Sequence, residues 1–218
     1  MVAMKADNSS DTNALLEAAS AGNGEKWGAL LARHRDRLRR MVALRMDRRL
    51  QGRIDPSDVI QEACLEASNR FSEYCKNPSM PFFLWLRFLT GQKLLELHRV
   101  HLKAQIRDIC REVSLYHGSL PETTSAALAA HLMGHLTRPS EAAIQAEMKI
   151  RLQEALNSMA ALDREILALR HFEHLTNRET ARVLDIQERA ASKRYIRALK
   201  RLKEILSSMP GGLGDVMP

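Results

Sequence analysis

Apolar residues recur every three or four positions along most of the chain, the interval of helices that bury one face. The pattern begins near Asn13 and is clear from Glu25 onward, where Trp27, Leu30, Leu31, His34, Leu38, Met41 and Val42 keep the spacing. Gly52 and the Asp55-Pro56 pair interrupt it, and Pro56 suits the first turn of a following helix. That next helix is expected to run to about Tyr74, with Ile60, Ala63, Cys64, Ala67 and Phe71 on one face. The stretch Lys76 to Pro81 (KNPSMP) reads as a loop from its Asn, Ser and two prolines. A third long helix is expected from Phe82 to about Cys110.

From residue 112 to about 140 the periodicity dissolves into Ser, Thr, Ala, Gly and Pro, which reads as a linker with room for a short helix over 126–136. Periodicity returns with Ile144, Met148, Leu152, Ala155, Leu156 and Met159, and it persists to Leu206 before a Gly-rich tail. The expected fold is all-α. Two small helical domains, residues 13–110 and 145–206, are joined by a flexible linker over 111–144 and followed by a tail over 207–218. Only 10 Gly and 7 Pro in 218 residues agree with long helices rather than a turn-rich β protein.

Composition narrows the classes. At 45% hydrophobic residues the chain lies far from compositions that stay disordered. No apolar run approaches the roughly 20 residues of a membrane-spanning helix. The start, MVAMKADNSSDTN, lacks the apolar core of a secretory signal, so a cytoplasmic protein is expected. Cys64, Cys75 and Cys110 form no CxxC pair and read as reduced thiols. His131 and His135 stand at i, i+4 without the Glu of an HExxH helix, and His98/His101 and His171/His174 lack a third ligand nearby. There is no phosphate-binding GxxxxGK[ST] loop and no GxSxG elbow. Neither an enzyme, a metal nor a cofactor is expected.

Charge is the informative property. Lys and Arg total 33 against 26 Asp and Glu, a formal charge of +7, and the excess is localised. In residues 176–206 (TNRETARVLDIQERAASKRYIRALKRLKEIL), Thr176 and Glu179 have the T-x-x-E spacing of a capping box at a helix start. Ala181 and Leu184 then point inward, and Asp185 stands where the chain must turn, a place Asp tolerates better than most residues. Ile186 plugs that turn, and Ala191 is small enough for a second helix to cross the first closely. The second helix sets Ala191, Tyr195, Ala198, Leu199, Leu202 and Ile205 on one side and a crowd of cations on the other. Among these are Arg189, Lys193, Arg194, Arg197 and Lys200, opposed along the helix by Glu188 and Glu204. Like charges at helical spacing repel by a few tenths of a kcal/mol per pair, so a polyanion is their natural complement. A basic helix face is often mere solvated surface; the capped helix, turn residue and small crossing residue favour helix-turn-helix binding of DNA.

Residues 31–53 carry Arg33, Arg35, Arg37, Arg39, Arg40, Arg45, Arg48, Arg49 and Arg53 against Asp36 and Asp47. Such arginines suit phosphates or carboxylates, and part of the cluster could neutralise the acidic helix beside it. That acidic helix, DPSDVIQEACLEASNRF, places Asp58, Glu62 and Glu66 at i, i+4, i+8 with Gln61 beside them. Set on a basic chain, this stripe reads either as a solvated face or as the contact for a basic protein partner. Next, Phe82, Phe83, Trp85 and Phe88 fall within seven residues and lead into Arg87, Gln92, Lys93, Arg99 and Lys103. Core packing is the ordinary reading, above all for Phe83 and Leu86. Aromatics interleaved with cations also suit unstacked bases, and melted DNA becomes a candidate ligand.

In this order the segments resemble the sigma-70 family, specifically its extracytoplasmic-function (ECF) group, which keeps only domains two and four. DPSDVIQEACLEASNRF resembles the domain-two helix that docks on the clamp helices of the RNA polymerase β′ subunit, which implies Asp58, Gln61, Glu62 and Glu66 as polymerase contacts. FFLWLRFLTGQ is similar to the helix that reads and helps melt the minus-ten promoter element. That match implies Lys76, Asn77, Trp85, Arg87, Gln92, Lys93 and Arg99 as minus-ten contacts, with the loop from Lys76 to Pro81 capturing a flipped base. Residues 161–202 resemble the domain-four helix-turn-helix, implying Gln187, Arg189, Lys193, Arg194, Arg197 and Lys200 as minus-thirty-five contacts. Gln92 stands where the family commonly has Asn, and Ala190-Ala191-Ser192 replaces a frequent Thr-Val-Lys, so base preferences do not carry over.

The resemblance implies core RNA polymerase and promoter DNA as partners, and a monomer when free. Anti-sigma partners are common in the family, although no residue pattern here marks one. From the residues alone a second class stays open: a conventional dimeric helix-turn-helix regulator that needs no polymerase. Gel filtration separates the two.

Overall fold

The computed structural model describes residues 7–47, 49–101, 125–135 and 142–208, and they are all-α. The pattern that begins near Asn13 resolves into two helices, α1 (Asp7–Ser20) and α2 (Gly24–Arg45). Gly22 turns the chain between them at φ +92°, a left-handed backbone that glycine adopts without a Cβ penalty. Asn23 then caps α2, its side chain accepting from the Lys26 amide at 3.1 Å.

Helix α2 ends at Arg45, earlier than the run of arginines suggests, and an irregular segment leads to Asp55. The Asp55 carboxylate accepts from the Ser57 amide at 2.7 Å and starts α3 (Pro56–Lys76), with Pro56 in its first turn as expected. The loop after α3 is pinned by Tyr74, whose hydroxyl donates to the Met80 carbonyl at 2.9 Å. Helix α4 runs over Phe82–His101, and its expected continuation to Cys110 lies outside the described residues.

These helices close on a core of Leu30, Leu38, Met41, Val59, Ile60, Leu86, Leu89 and Leu94. Each such side chain contributes roughly 1.5–3 kcal/mol on burial. Phe82 is the hub of an aromatic cluster, with Trp27, Phe71, Tyr74 and Trp85 within 5.7–6.4 Å of its ring centre.

Part of the segment read as linker is structured. Helix α5 (Ser125–His135) buries Leu128, Ala129 and Leu132 in a second core with Leu152 and Leu156 of α6 (Ala142–Asn157). It falls where the sequence left room for a short helix over 126–136. Helix α7 (Ala161–Leu167) continues as a π-helical turn over Ala168–Phe172, closed by the Glu173 amide donating to Ala168 O, five residues back, at 2.8 Å. Helices α8 (Asn177–Leu184) and α9 (Glu188–Ser207) complete the C-terminal module, and α9 supplies Ala198, Leu202 and Ile205 to the second core.

The two modules do not stand apart. Leu169 and Leu175 join the N-terminal core, and Leu44 of α2 joins the C-terminal one. A tether alone suggests independent bodies; here the helical faces complete each other across the modules.

Candidate functional site

Helix α3 buries Val59, Ile60, Ala63 and Ala67, and this fixes what the opposite face presents. Asp58, Gln61 and Glu62 are exposed and Glu66 is half-buried, the last accepting from Arg70 Nε at 2.6 Å one turn on. The stripe expected from i, i+4, i+8 spacing therefore exists. Sequence reasoning passed over Leu65, which stands 62% exposed among these carboxylates. The available signal was its place off the 60–63–67 apolar face, and an apolar group ringed by charge is the anatomy of a protein-binding patch. The arginines of α2 divide: the charges of Arg39 and Arg35 reach Asp55 and Cys64 at α3, and others turn elsewhere. Arg33 pairs with Asp11 at 3.4 Å, while Arg37 and Arg45 turn to the C-terminal module. Arg48 lies outside the described residues.

At the α3–α4 corner, Lys76, Asn77, Gln92 and Arg99 are exposed, and Lys93 is half-buried beside Glu96 at 3.1 Å. Trp85 is half-buried and stacks on Tyr74, ring centres 4.5 Å apart at 24°. Phe82 and Phe83 are buried in the core and offer no free face to a base, so the aromatic platform narrows to Trp85 and Phe88. Arg87 also departs from its neighbours. Residues 83, 87, 90, 94 and 98 form the inner stripe of α4, and Arg87, 5% exposed, donates from Nε to Glu173 Oε2 at 2.9 Å. In this conformation its guanidinium is away from the surface that carries Gln92 and Lys93.

The C-terminal module builds the helix-turn-helix locally. Thr176 Oγ1 accepts from the Glu179 amide at 3.1 Å while the Glu179 carboxylate accepts from the Thr176 amide at 2.7 Å, the reciprocal capping box. Asp185 adopts φ +49° at the turn, and the Ile186 amide donates to Ala181 O at 3.0 Å. Asn177 Nδ2 donates to Glu188 O at 2.9 Å and ties the two helices together. Buried Ala181 and Ala191 permit the close crossing. On α9, Gln187, Arg189, Lys193, Arg197 and Lys200 are exposed, and Arg194 is half-buried. Asp163 of α7 accepts from Arg197 at 3.1 Å and Arg194 at 3.5 Å, a carboxylate partner that the pattern along α9 alone does not reveal. Burial pushes the Tyr195 phenol up, and its ring lies 4.9 Å from the Arg170 guanidinium.

His98 and His131 serve packing. Nε2 of His98 accepts from the Asp47 amide at 3.2 Å, and His131 meets Phe172 edge-on at 5.9 Å. Among the described residues, no three His, Cys, Asp or Glu side chains gather as a metal site, and no helix is long and apolar enough to cross a membrane.

An acidic stripe on α3 and a basic face on the second helix of a helix-turn-helix define a class: an all-α protein that ends in a helix-turn-helix module. Residues 149–202 match the family described as Sigma-70, region 4. The chain is 30% identical over 151 residues to proteins named ECF RNA polymerase sigma factor SigD from Mycobacterium bovis and Mycobacterium tuberculosis. The match takes in 69% of this chain and spans 63% of the length of those relatives. A solved structure titled "Structure of CnrH in complex with the cytosolic domain of CnrY" shares the fold at a TM-score of 0.52 and 21% identity, over 91% of this chain and 99% of that one. The matches thus point to the sigma-70 family, through its region 4 over residues 149–202 and through relatives named as ECF sigma factors.

Proposed function

We propose that this protein is an RNA polymerase sigma factor that binds core polymerase and directs promoter recognition, strand opening and transcription initiation. Residues 13–110 act as sigma domain two and 145–206 as domain four. Asp58, Gln61, Glu62 and Glu66 grip the β′ clamp helices, with Leu65 at the centre of the contact. Lys76, Asn77, Trp85, Gln92, Lys93 and Arg99 meet the separated minus-ten strand. Gln187, Arg189, Lys193, Arg194, Arg197 and Lys200 read the minus-thirty-five duplex. The protein acts in the cytoplasm on promoter DNA and performs no bond chemistry of its own; it supplies positioning and holds strands apart.

The observation that carries this reading is the simultaneous exposure of an acidic α3 stripe and a basic α9 face on different modules of one chain. A protein that only bound DNA would have no use for the first. The SigD relatives, which are sigma factors by name, support it.

The test is run-off transcription with purified core polymerase and a promoter library. Glu62→Lys with Glu66→Lys is expected to abolish co-elution with core polymerase at least tenfold while leaving the helical content unchanged, because both side chains point away from the core. Lys193→Ala is expected to weaken promoter binding by the holoenzyme and lower the log–log salt slope by about 1, leaving co-elution intact. Undiminished polymerase binding by the charge-reversed protein would overturn the docking surface.

A further inference from the structure

The outer face of α9 carries an apolar residue that its charge pattern does not explain. Arg189, Lys193, Ile196, Lys200 and Lys203 stand at i, i+4, i+7, i+11 and i+14, an interval that lays them along one side of a helix, and all five are exposed. Ala191, Ala198, Leu202 and Ile205 hold the opposite side in the core. Ile196 is 53% exposed in the middle of the cationic row. Arg194 and Arg197 lean toward α7, where Asp163 accepts from them at 3.5 and 3.1 Å. From Arg189 to Lys200 the helix holds no acidic residue.

The fold gains nothing from this isoleucine. Ile196 belongs to neither core. Ile is also a poorer helix former than Ala, Leu, Lys or Arg, because its branched Cβ loses rotamers against the preceding turn. What the branch supplies is stiffness. With χ1 held in one well, its methyl groups are presented at a fixed place on the helix.

We propose, resting on the sigma-factor reading of α9, that Ile196 is a specificity-determining residue that packs against the C5 methyl of a thymine in the major groove of the minus-thirty-five duplex. The chemistry commits it to that group. Donors and acceptors on the major-groove edges lose water against an alkyl side chain and gain no partner, whereas the thymine methyl is itself apolar and gains by leaving water. The cations on either side take the phosphates. Arg189 lies about 10 Å before Ile196 along the axis and Lys200 about 6 Å beyond it, at ~1.5 Å per residue. Around Leu65 of α3 the charges are carboxylates and suit a basic partner; around Ile196 they are cations, and the complement is a polyanion with an apolar group inside its groove. One buried carbon is worth roughly a factor of four in affinity, so Ile196 acts on base preference rather than on whether the complex forms.

The test changes one group on the DNA. In a promoter selected with the holoenzyme, each thymine of the minus-thirty-five element is replaced in turn by deoxyuridine, which pairs identically and lacks only the C5 methyl. Holoenzyme affinity is read by competition at a fixed salt concentration, since phosphate contacts make it salt-dependent. For the wild type, replacement of one particular thymine is expected to weaken binding about fourfold. Ile196→Ala is expected to keep the helical circular dichroism of the wild type, to bind the thymine duplex more weakly by a similar factor, and to show no difference between thymine and deoxyuridine. Equal wild-type affinity for every substituted duplex would overturn the proposal, as would a difference that persists in Ile196→Ala, or a selected element with no thymine on either strand. If the chain forms no holoenzyme and starts no transcript, the sigma-factor reading has failed, and the methyl contact is measured instead on a duplex that the chain alone selects from random sequence, with the same two substitutions. A chain that selects no duplex by either route overturns both.

Discussion

Arg87 of α4 and Glu173 of the π-helical turn, 86 residues apart in sequence, form an ion pair buried between the modules, with Nε donating to Oε2 at 2.9 Å. The pair shares its carboxylate with Arg45, which also pairs with Glu165, so Glu173 bridges two cations in a place water does not reach. Burial alone would raise the Glu173 pKa; Arg45 and then Arg87 outweigh it and hold the group down at about 2.

Truncating one member of such a cluster strands charge. Arg87→Ala is expected to cost about 2 kcal/mol in urea unfolding, toward the low side of buried pairs because Arg45 remains. Arg49, paired with Asp47 at 2.9 Å, is fully solvated, and Arg49→Ala is expected to leave the urea midpoint unchanged. Equal effects of the two substitutions would contradict the burial of the Glu173 cluster.

The helix-turn-helix gives two changes of opposite sign. Asp185 sits at φ +49°, where a Cβ costs roughly 1 kcal/mol, so Asp185→Gly is expected to raise the melting temperature slightly. Thr176→Ala removes half of the capping box and is expected to cost about 1 kcal/mol. Thermal unfolding followed by circular dichroism reads both; a destabilised Asp185→Gly would mean that the aspartate side chain itself holds the turn.

Acid should loosen the N-terminal module before it loosens the Glu173 cluster. His34 is buried between Phe82 and Phe83; burial, then Arg37 and Arg33, lower its pKa from 6.5 to about 4. The unfolded chain therefore takes up this proton first, so stability is full above about pH 6.5 and falls as pH drops toward 4. The loss between pH 7 and 5 is on the order of 1–2 kcal/mol. Glu173 works in another window: its contribution is complete above the unfolded carboxylate range and is lost progressively as pH falls from 4.5 to about 2. Chemical denaturation at pH 7 and 5 is expected to show a smaller difference in His34→Leu than in the wild type. Identical slopes would remove His34 as the cause.

The sequence by itself determined whatever depends on neighbours one turn away. Periodicity set the buried faces of α2, α3 and α9, Thr176 and Glu179 announced the capping box, and Asp185 marked the turn. The exposed stripe of α3 and the cationic side of α9 follow from those same faces, since burying one side of a helix decides what the other presents. Tertiary structure decided the partners. That Arg87 turns inward while Gln92 stays outside, that Phe82 joins the core, and that α5 packs with α6 all depend on surfaces brought together from distant parts of the chain. A helical pattern records that a face must be covered and is silent on what covers it. For Glu173, an acidic residue in a polar stretch, only the arrival of Arg45 and Arg87 from 128 and 86 residues away makes burial affordable.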